Sequence, residues 1–228
     1  MNAYELLVFD WDGTLMDSAN EIVTAMQQAI QHIGLPERSP QRLRELIGLG
    51  LDDVVARLFP ELDTVRVRTW LHEYRMRYGI SRSRAVLFEP VMSTLESLGD
   101  QGFTLAVATG KSRRGLDTAL DATGTGHLFR VTRCADESAP KPAPAMLEDI
   151  LLRTATLPER ALMIGDTEYD VAMARAAGVD ALGVAWGVHD AQRLRTAGAL
   201  DVLEDVAQLP GWLAARGGGF DAPCSLPG

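Results

Sequence analysis

An apolar run near the start of the chain predicts a strand that is buried on both faces. Residues 4–10 read YELLVFD, and the polar turn WDGT follows them. Short continuous apolar runs bounded by turn residues are typical of strands in parallel sheets. We therefore expect further strands of the same kind to lie beside this one.

The next segment, residues 17–85, has apolar positions at helical spacing and predicts four helices. Ser18 and Glu21 fit a capping box at the start of the first helix, and Gly34 should end it. The other three helices are predicted over residues 39–48, 52–59 and 64–78.

After Pro90, helical segments alternate with short apolar strands. The predicted helices cover residues 90–99, 113–123, 143–154, 168–177 and 190–197. The predicted strands cover residues 103–109, 129–133, 161–165 and 181–185, with a last strand near Val202. This alternation implies an α/β fold, with a Rossmann-like parallel sheet and helices on both of its faces.

The first strand is separated from the others by the helical block, so that block is most simply an inserted α-helical bundle. We expect a core formed by residues 1–16 and 86–216 and an inserted domain of residues 17–85. Residues 217–228 are rich in Gly and Pro, which predicts a disordered tail.

Composition and charge narrow the classes of function. The 228 residues carry a net charge of −9, and an acidic surface repels phosphate backbones, which argues against nucleic-acid binding. No apolar run approaches the roughly 18 residues of a membrane span, and no basic leader precedes the first strand. We therefore expect a cytoplasmic protein that does not bind membranes, as a monomer or homodimer.

The two cysteines, Cys134 and Cys224, lack the spacing of a metal site or a redox pair. We expect idle or buried thiols, with a catalytic thiol as the minor alternative. The basic residues are unusual in another way, because only Lys111 and Lys141 are lysines and the rest are arginines.

Three polar clusters follow predicted strands. They are Asp10 to Thr14, Thr109 to Lys111, and Asp166 with Asp170. In open parallel sheets, ligands bind beyond the carboxyl ends of the strands, so the three clusters should converge. Lys141, in the segment KPAP, can join them from a neighbouring loop.

Carboxylates crowded at a strand end are tolerable if a hard divalent cation lies among them, and Mg²⁺ is the natural candidate. Asp10, Asp12 and Asp166 would supply the charge, and Lys141 would balance both the acidic cluster and a phosphate dianion. Thr109 and free N–H groups at the following helix start would bind phosphate oxygens. These residues predict a phosphoryl-transfer site.

Other interpretations of these residues remain open. A DxDG sequence is often only a turn. Asp10, Asp12 and Glu21 also match three positions of a calcium-binding loop, although Leu15 stands where that loop requires glycine and a strand precedes it. The presence of all the clusters in chain order favours phosphoryl transfer.

Together, the segments FDWDGTLMDS, VATGK, KPAP and MIGDTEYDVAMARAAG resemble the four motifs of the haloacid dehalogenase superfamily. The resemblance covers nearly the whole core. The helical insertion resembles the cap of the subfamily that includes phosphoglycolate phosphatases. The resemblance implies a phosphatase that acts on a small phosphorylated metabolite, with Mg²⁺ as cofactor and an aspartyl phosphate as intermediate.

The resemblance also implies roles for single residues. Asp10 would be the nucleophile, Asp12 the general acid and base, and Lys141 would hold nucleophile and phosphate together. The phosphate-binding residues would be Thr109, Gly110 and Gly13. The metal-binding residues would be Asp10, Asp12, Asp166 and Asp170.

Differences from relatives narrow the expected activity. Haloacid dehalogenases need no metal and lack the carboxylate of Asp12, so dehalogenation is disfavoured. Residues 17–85 contain no lysine for the Schiff base of phosphonoacetaldehyde hydrolases, and ANEIVTAM lacks the histidine of hexose-phosphate mutases. Hydrolysis is favoured. The alternatives are a phosphotransferase or pyrophosphatase of the same superfamily, or a phosphate-binding regulatory protein.

Substrate selection is expected in the cap, in the turn IGLGLDD of residues 47–53. Leu49 and Gly50 offer backbone groups and apolar contact but no cation for a substrate carboxylate. A phosphoglycolate-like or sugar phosphate remains the expected substrate. Ten arginines between Arg38 and Arg84 are further candidates for contact with it.

Overall fold

A six-stranded parallel sheet forms the centre of the computed structural model, which describes residues 4–81 and 86–216. The strands are β1 (Leu6–Phe9), β2 (Met16–Asp17), β3 (Val86–Leu87), β4 (Thr104–Thr109), β5 (Val131–Cys134), β6 (Ala161–Gly165), β7 (Asp180–Val184) and β8 (Asp201–Leu203). The sheet has the order β5-β4-β1-β6-β7-β8, so β1 lies between β4 and β6. The predicted α/β fold class is confirmed.

The helices follow the strands in the predicted alternation. They are α1 (Ala19–His32), α2 (Pro40–Arg44), α3 (Leu51–Leu58), α4 (Thr64–Ser81), α5 (Val91–Asp100), α6 (Arg113–Thr123), α7 (Ala145–Thr154), α8 (Glu168–Ala176), α9 (Ala191–Ala197) and α10 (Leu209–Arg216). Short 3-10 turns cover Gly126–Leu128, Pro158–Arg160 and Val206–Gln208. None of the described helices is both long and apolar enough to cross a membrane.

The two faces of the sheet bury different helices, because successive side chains of a strand point in opposite directions. On one face, Leu7 and Phe9 of β1 pack with residues of α5, α6 and α10. On the other face, Leu6 and Val8 pack with residues of α7, α8 and α9. All four β1 side chains are buried, which explains the continuous apolar run in the sequence.

Helices α1 to α4 pack around an apolar cluster of their own. Met26 and Ile30 of α1, Val55 of α3 and Trp70 of α4 are nearly inaccessible to solvent. Tyr169 of α8 joins this cluster and donates a hydrogen bond to the carbonyl of Glu45, at 3.0 Å. The division of the chain into a core and an inserted domain stays a prediction.

A two-stranded antiparallel ribbon lies where the chain enters and leaves the helical block. Met16 pairs with Leu87, and Asp17 pairs with Val86. The sequence predicted only helices between residues 17 and 85, so Asp17 departs from that prediction. Strands of two residues leave no periodic pattern, because the pairing with a distant segment forms them.

The structure differs from the sequence analysis at the starts of two helices, α1 and α10. The predicted capping box at Ser18 is wrong, because the Ser18 hydroxyl donates to the carboxylate of Asp12 and makes no cap hydrogen bond. Helix α10 was not predicted. Pro210 lies in its first turn, where proline is tolerated because the first N–H groups of a helix have no partner within it. The predicted disordered tail and Cys224 lie outside the described residues.

Candidate active site

Three neighbouring strands bring the predicted polar clusters together. Asp10 follows β1, Thr109 ends β4 and Asp166 follows β6. Since β4, β1 and β6 are parallel and adjacent, these residues share one edge of the sheet. All three are buried. The convergence expected from the sequence is therefore present in the structure.

Three carboxylates form a compact group at this edge. One oxygen each of Asp10, Asp166 and Asp170 lies within 4.8 Å of the others. Burial, followed by the charge of Asp170, raises the pKa of Asp166 to about 7. Burial also raises the pKa of Asp10 well above its usual value. The shifts show that several anions are costly to hold here without a cation.

Lys141 supplies one cation to this group. Its Nζ lies 2.7 Å from Asp10 Oδ1 and 2.7 Å from Asp170 Oδ1, and its side chain is wholly buried. Burial by itself would lower the pKa of Lys141, but the charges of Asp10 and Asp170 outweigh it and raise the pKa. The lysine is therefore a fixed positive charge between two carboxylates.

Hydrogen bonds orient the outer carboxylates. Asp166 accepts from the Thr14 hydroxyl at 2.8 Å and from the Val188 amide at 2.9 Å. Asp170, in the first turn of α8, accepts from both the amide and the hydroxyl of Thr167. These bonds leave Asp170 Oδ1 facing Lys141. Each carboxylate thus has a defined direction.

Glycines give these carboxylates room. A β-carbon on Gly13, which has a φ of +83°, would lie 2.2 Å from Asp166 Oδ2. A β-carbon on Gly187 would lie 2.2 Å from the Asp166 Cβ, and one on Gly165 would lie 2.3 Å from the Asp170 Cγ. A side chain at any of these positions would collide with the Asp166 or Asp170 side chain.

Asp12 has a second buried cation of its own. Asp12 Oδ1 lies 2.9 Å from Lys111 Nζ and accepts a hydrogen bond from Ser18. Lys111 also lies 2.9 Å from the Tyr78 hydroxyl of α4, so it links the sheet edge to the helices. Burial would lower the pKa of Lys111, but Asp12 and Tyr78 outweigh it and raise the pKa.

The residues present fit a divalent cation. Asp10 Oδ2 is buried and has no hydrogen-bond partner among the described residues, which is the environment of an oxygen that awaits a ligand. Asp10, Asp166 and Asp170 supply the hard oxygen donors that Mg²⁺ prefers. The carboxylate of Asp12, also expected among the metal ligands, is not in this group, because Lys111 and Ser18 hold it.

Thr109 and Gly110 were expected to bind phosphate, and the structure gives each a defined place. Thr109 is buried, and its hydroxyl oxygen accepts a hydrogen bond from the Lys111 amide at 3.2 Å. A β-carbon on Gly110 would lie 2.6 Å from the carbonyl oxygen of Gly48 and 2.8 Å from that of Leu49. Gly110 therefore lets the turn between α2 and α3 approach the sheet edge.

A cavity of about 480 Å³ lies between this edge and helices α1, α3 and α4. Asp10, Asp12 and Thr109 line one end of it. Of the two residues expected to select the substrate, Leu49 lines the cavity. Gly50 is not among the lining residues, and a β-carbon there would lie 3.1 Å from Pro140. Gly50 is therefore better explained by packing.

Several site residues were missed from the sequence. Lys111 was placed in the polar cluster after β4 but was given no role of its own, and nothing in its segment shows that it pairs with Asp12. His189 was not considered; it is buried, accepts from the Glu168 amide at Nδ1 and places Nε2 3.3 Å from the Glu45 carbonyl. Burial lowers the pKa of His189, so the ring is neutral. The histidine ties the loop after β7 to the helical block.

The described cysteine takes no part in this site. Cys134 ends β5 and is buried, as expected for an idle thiol. Burial raises the pKa of the Cys134 thiol to about 12, which keeps it protonated and unreactive.

Comparison with known proteins gives the same family as the motifs. The model of the haloacid dehalogenase-like hydrolase family matches residues 7–184. A protein of Dickeya dadantii (strain 3937) named "Probable phosphatase IndB" is 32% identical over 211 residues, covering 90% of this chain and 92% of that protein. A phosphoglycolate phosphatase of Vibrio cholerae serotype O1 is 30% identical and covers 92% and 96% of the two chains.

Solved structures share the fold. A crystal structure titled as a predicted phosphoglycolate phosphatase from Haemophilus somnus 129PT has a TM-score of 0.81 and 25% identity, over 93% of this chain and 99% of that chain. A hydrolase from Pseudomonas syringae has a TM-score of 0.86 and 23% identity, over 92% and 98% of the two chains, and is similar in fold.

Proposed function

Because the chain belongs to the haloacid dehalogenase-like hydrolases, we propose that it is a Mg²⁺-dependent phosphatase that hydrolyses a small phosphomonoester through an aspartyl phosphate. Relatives named as phosphatases support the reaction class. The observation that carries the proposal is Asp10: one oxygen lies 2.7 Å from Lys141, the other is buried without a partner among the described residues, and the residue lines a cavity.

Asp10, Asp166 and Asp170 would hold the cation. Mg²⁺ bound there would offset the charge of the phosphate and of the carboxylates. Lys141 adds a fixed positive charge beside Asp10 Oδ1. Together these charges remove the repulsion that an anionic nucleophile meets when it approaches an anionic phosphate.

In the first half of the reaction, an Asp10 oxygen forms a bond to phosphorus as the bond between phosphorus and the ester oxygen breaks. Asp12 lines the same end of the cavity and gives a proton to the departing alkoxide. The Thr109 hydroxyl, whose oxygen already accepts from the Lys111 amide, can donate its proton to a phosphate oxygen.

In the second half, water attacks the phosphorus of the aspartyl phosphate and Asp12 takes its proton. The bond between phosphorus and Asp10 breaks, so orthophosphate leaves and Asp10 is again a free carboxylate. Asp12 again carries the proton that it donates in the first half. Lys111 and Ser18 hold Asp12 in place through both steps.

The inserted helices have a role in this scheme. We propose that residues 17–85 form a cap domain over the site, with the core formed by residues 1–16 and 86–216. The separate apolar cluster of α1 to α4 supports this division, and so does the cavity between those helices and the sheet edge. A cap of this kind excludes water and selects the leaving group.

The test is orthophosphate release from a panel of phosphorylated compounds in Mg²⁺, with the wild type beside Asp10→Asn. The panel contains phosphoglycolate, sugar phosphates, nucleotides and pyrophosphate. The wild type should release orthophosphate from a monoester, and Asp10→Asn should lower the rate by about a thousandfold or more, because it removes the nucleophile.

Asp17→Asn is the matched control, since Asp17 follows Asp10 closely in the chain but lies in β2 and is exposed; it should keep the wild-type rate. An Asp10→Asn protein that kept a tenth of the activity would contradict the nucleophile assignment.

Chelation of divalent cations should inactivate the wild type, and added Mg²⁺ should restore its activity. Full activity in excess chelator would show that the reaction does not require a divalent cation. Transfer of the phosphoryl group to an acceptor other than water would identify a phosphotransferase instead.

A further inference from the structure

The leaving-group end of the cavity has a different character from its catalytic end. Asp10, Asp12 and Thr109 occupy one end, so a phosphoryl group bound there places the rest of a substrate in the remaining space. That space is lined by α1, α3 and α4, which contribute Ile22, Met26 and Val54, and on another side by α6. The composition of these helices therefore decides which leaving group fits.

The size of the cavity exceeds the needs of a two-carbon substrate. Its volume of about 480 Å³ lies within the range of roughly 300–1,000 Å³ that is typical of sites for drug-sized ligands. Phosphoglycolate has only two carbons beyond its phosphoryl group and would leave part of this space to water. Water held against apolar side chains is unfavourable, so the shape fits a larger body.

Aromatic side chains add to the apolar lining. Tyr74 and Tyr78 of α4 both line the cavity, and their rings stack with centroids 5.7 Å apart. Tyr74 stacks in turn on Trp70, at 5.5 Å, so the rings are held in a fixed row. Tyr74 is stacked between Trp70 and Tyr78, and Lys111 Nζ lies over the Tyr78 ring, 4.7 Å from its centroid. The tyrosines therefore offer ring edges, which pack well against the face of another ring.

The nearest lysine is not available for a small carboxylate. Lys111 lines the cavity, but its Nζ pairs with Asp12 and contacts the Tyr78 hydroxyl. A carboxylate placed among Ile22, Met26 and Val54 would lose its hydration without an equivalent partner from Lys111, and the two arginines of the lining, Arg75 and Arg114, lie at exposed positions. A leaving group with an apolar body carries no such cost.

We propose that the substrate is a phosphomonoester whose leaving group has an apolar, ring-sized body that packs against α1, α3 and α4. The proposal rests on the proposed phosphatase function and specifies its substrate class. The phosphoryl group lies at the sheet edge, and the ring occupies the space lined by Val54, Tyr74 and Tyr78.

The test compares leaving groups of similar chemistry but different size. Orthophosphate release is measured with 2-phenylethyl phosphate, ethyl phosphate and phosphoglycolate, which are all esters of primary alcohols. The wild type in Mg²⁺ should show a kcat/KM at least about tenfold higher for 2-phenylethyl phosphate than for either of the others, because only that substrate buries a ring.

A variant that fills part of the cavity tests where the ring of the substrate binds. Gly79 of α4 lines the mouth of the cavity, and a β-carbon there would meet no heavy atom within 4 Å. Gly79→Leu should lower kcat/KM for 2-phenylethyl phosphate more than for ethyl phosphate. Gly99→Leu is the matched control, because Gly99 lies in a helix with the same open surroundings but does not line the cavity; it should leave both values unchanged.

The outcomes separate this inference from the proposed function. The wild type could hydrolyse ethyl phosphate or phosphoglycolate as efficiently as 2-phenylethyl phosphate. The proposed substrate class would then be wrong, and the proposed phosphatase function would be supported. If Gly79→Leu lowers both values equally, the ring does not occupy this space. If the wild type hydrolyses neither these esters nor the wider panel, the phosphatase function itself fails.

Discussion

The two sides of the cavity are built on different principles. The sheet edge is polar, and Asp10, Asp166 and Asp170 each have hydrogen-bond or ion-pair partners at defined distances. The helical side is largely apolar: Ile22 and Val54 contribute shape and surface, and its charged residue, Arg75, is exposed. The sheet edge determines which bond is hydrolysed. The helical side determines which molecules can bind with that bond at the sheet edge.

The two buried lysines show the same contrast on a smaller scale. Lys141 lies between Asp10, at the sheet edge, and Asp170, in the first turn of α8. Lys111 contacts Asp12 at the sheet edge and Tyr78 on the helical side. One lysine therefore completes the polar side, whereas the other joins the two sides. Their removal should have unequal consequences.

We expect the largest effect from Lys141→Met. The variant leaves Asp10 and Asp170 buried without their shared cation, and breaking a buried pair costs about 3–5 kcal/mol of unfolding free energy. Orthophosphate release should fall about a hundredfold or more, because the charge beside the nucleophile is lost. Urea unfolding in excess chelator and the release assay measure the two effects. A wild-type rate in this variant would remove Lys141 from the site.

Lys111→Met should have a smaller effect. It removes the cation beside Asp12, so we expect the unfolding free energy to fall by about 1–3 kcal/mol, with a loss of about tenfold to a hundredfold in rate. Tyr78→Phe keeps the ring stacked on Tyr74 but removes the hydroxyl, so its effect should be the smaller of the two. If Lys111→Met lost more stability than Lys141→Met, the ranking of the two pairs would be wrong.

The polar side was largely predictable from the sequence. Asp10, Thr109 and Asp166 each stand at the end of a strand that has a clear apolar pattern, and parallel strands bring such ends together. Helix α6 covers the predicted residues 113–123 because Ser112 caps its start and Gly124, in a left-handed conformation, ends it. Local signals and topology were sufficient for these elements.

Contacts between distant segments were not predictable in the same way. Ser18 has the spacing of a helix cap, yet it turns to Asp12 because a buried carboxylate needs a donor. Asp12 was expected to bind metal, and its ion pair with Lys111, which lies in the turn after β4, becomes visible only in the structure. His189 reaches Glu45 across 144 positions of the chain, and no local pattern encodes that contact.

The smallest expected effect concerns the mouth of the cavity. Arg75 of α4 and Arg114 of α6 line the cavity and are exposed. Within the part of the chain that the structure describes, neither guanidinium makes an ion pair. In a chain with a net charge of −9, two such cations create a local positive potential that can attract a phosphate dianion.

Arg75→Gln should therefore raise KM by about twofold to threefold at low ionic strength and by less at high salt, with kcat unchanged, because exposed charges are screened. Arg68→Gln is the matched control, since Arg68 is an exposed residue of the same helix that does not line the cavity. Steady-state kinetics at two salt concentrations measure the difference. A KM change that persisted at high salt would indicate direct contact between Arg75 and the substrate, and the helical side would then contribute charge as well as shape.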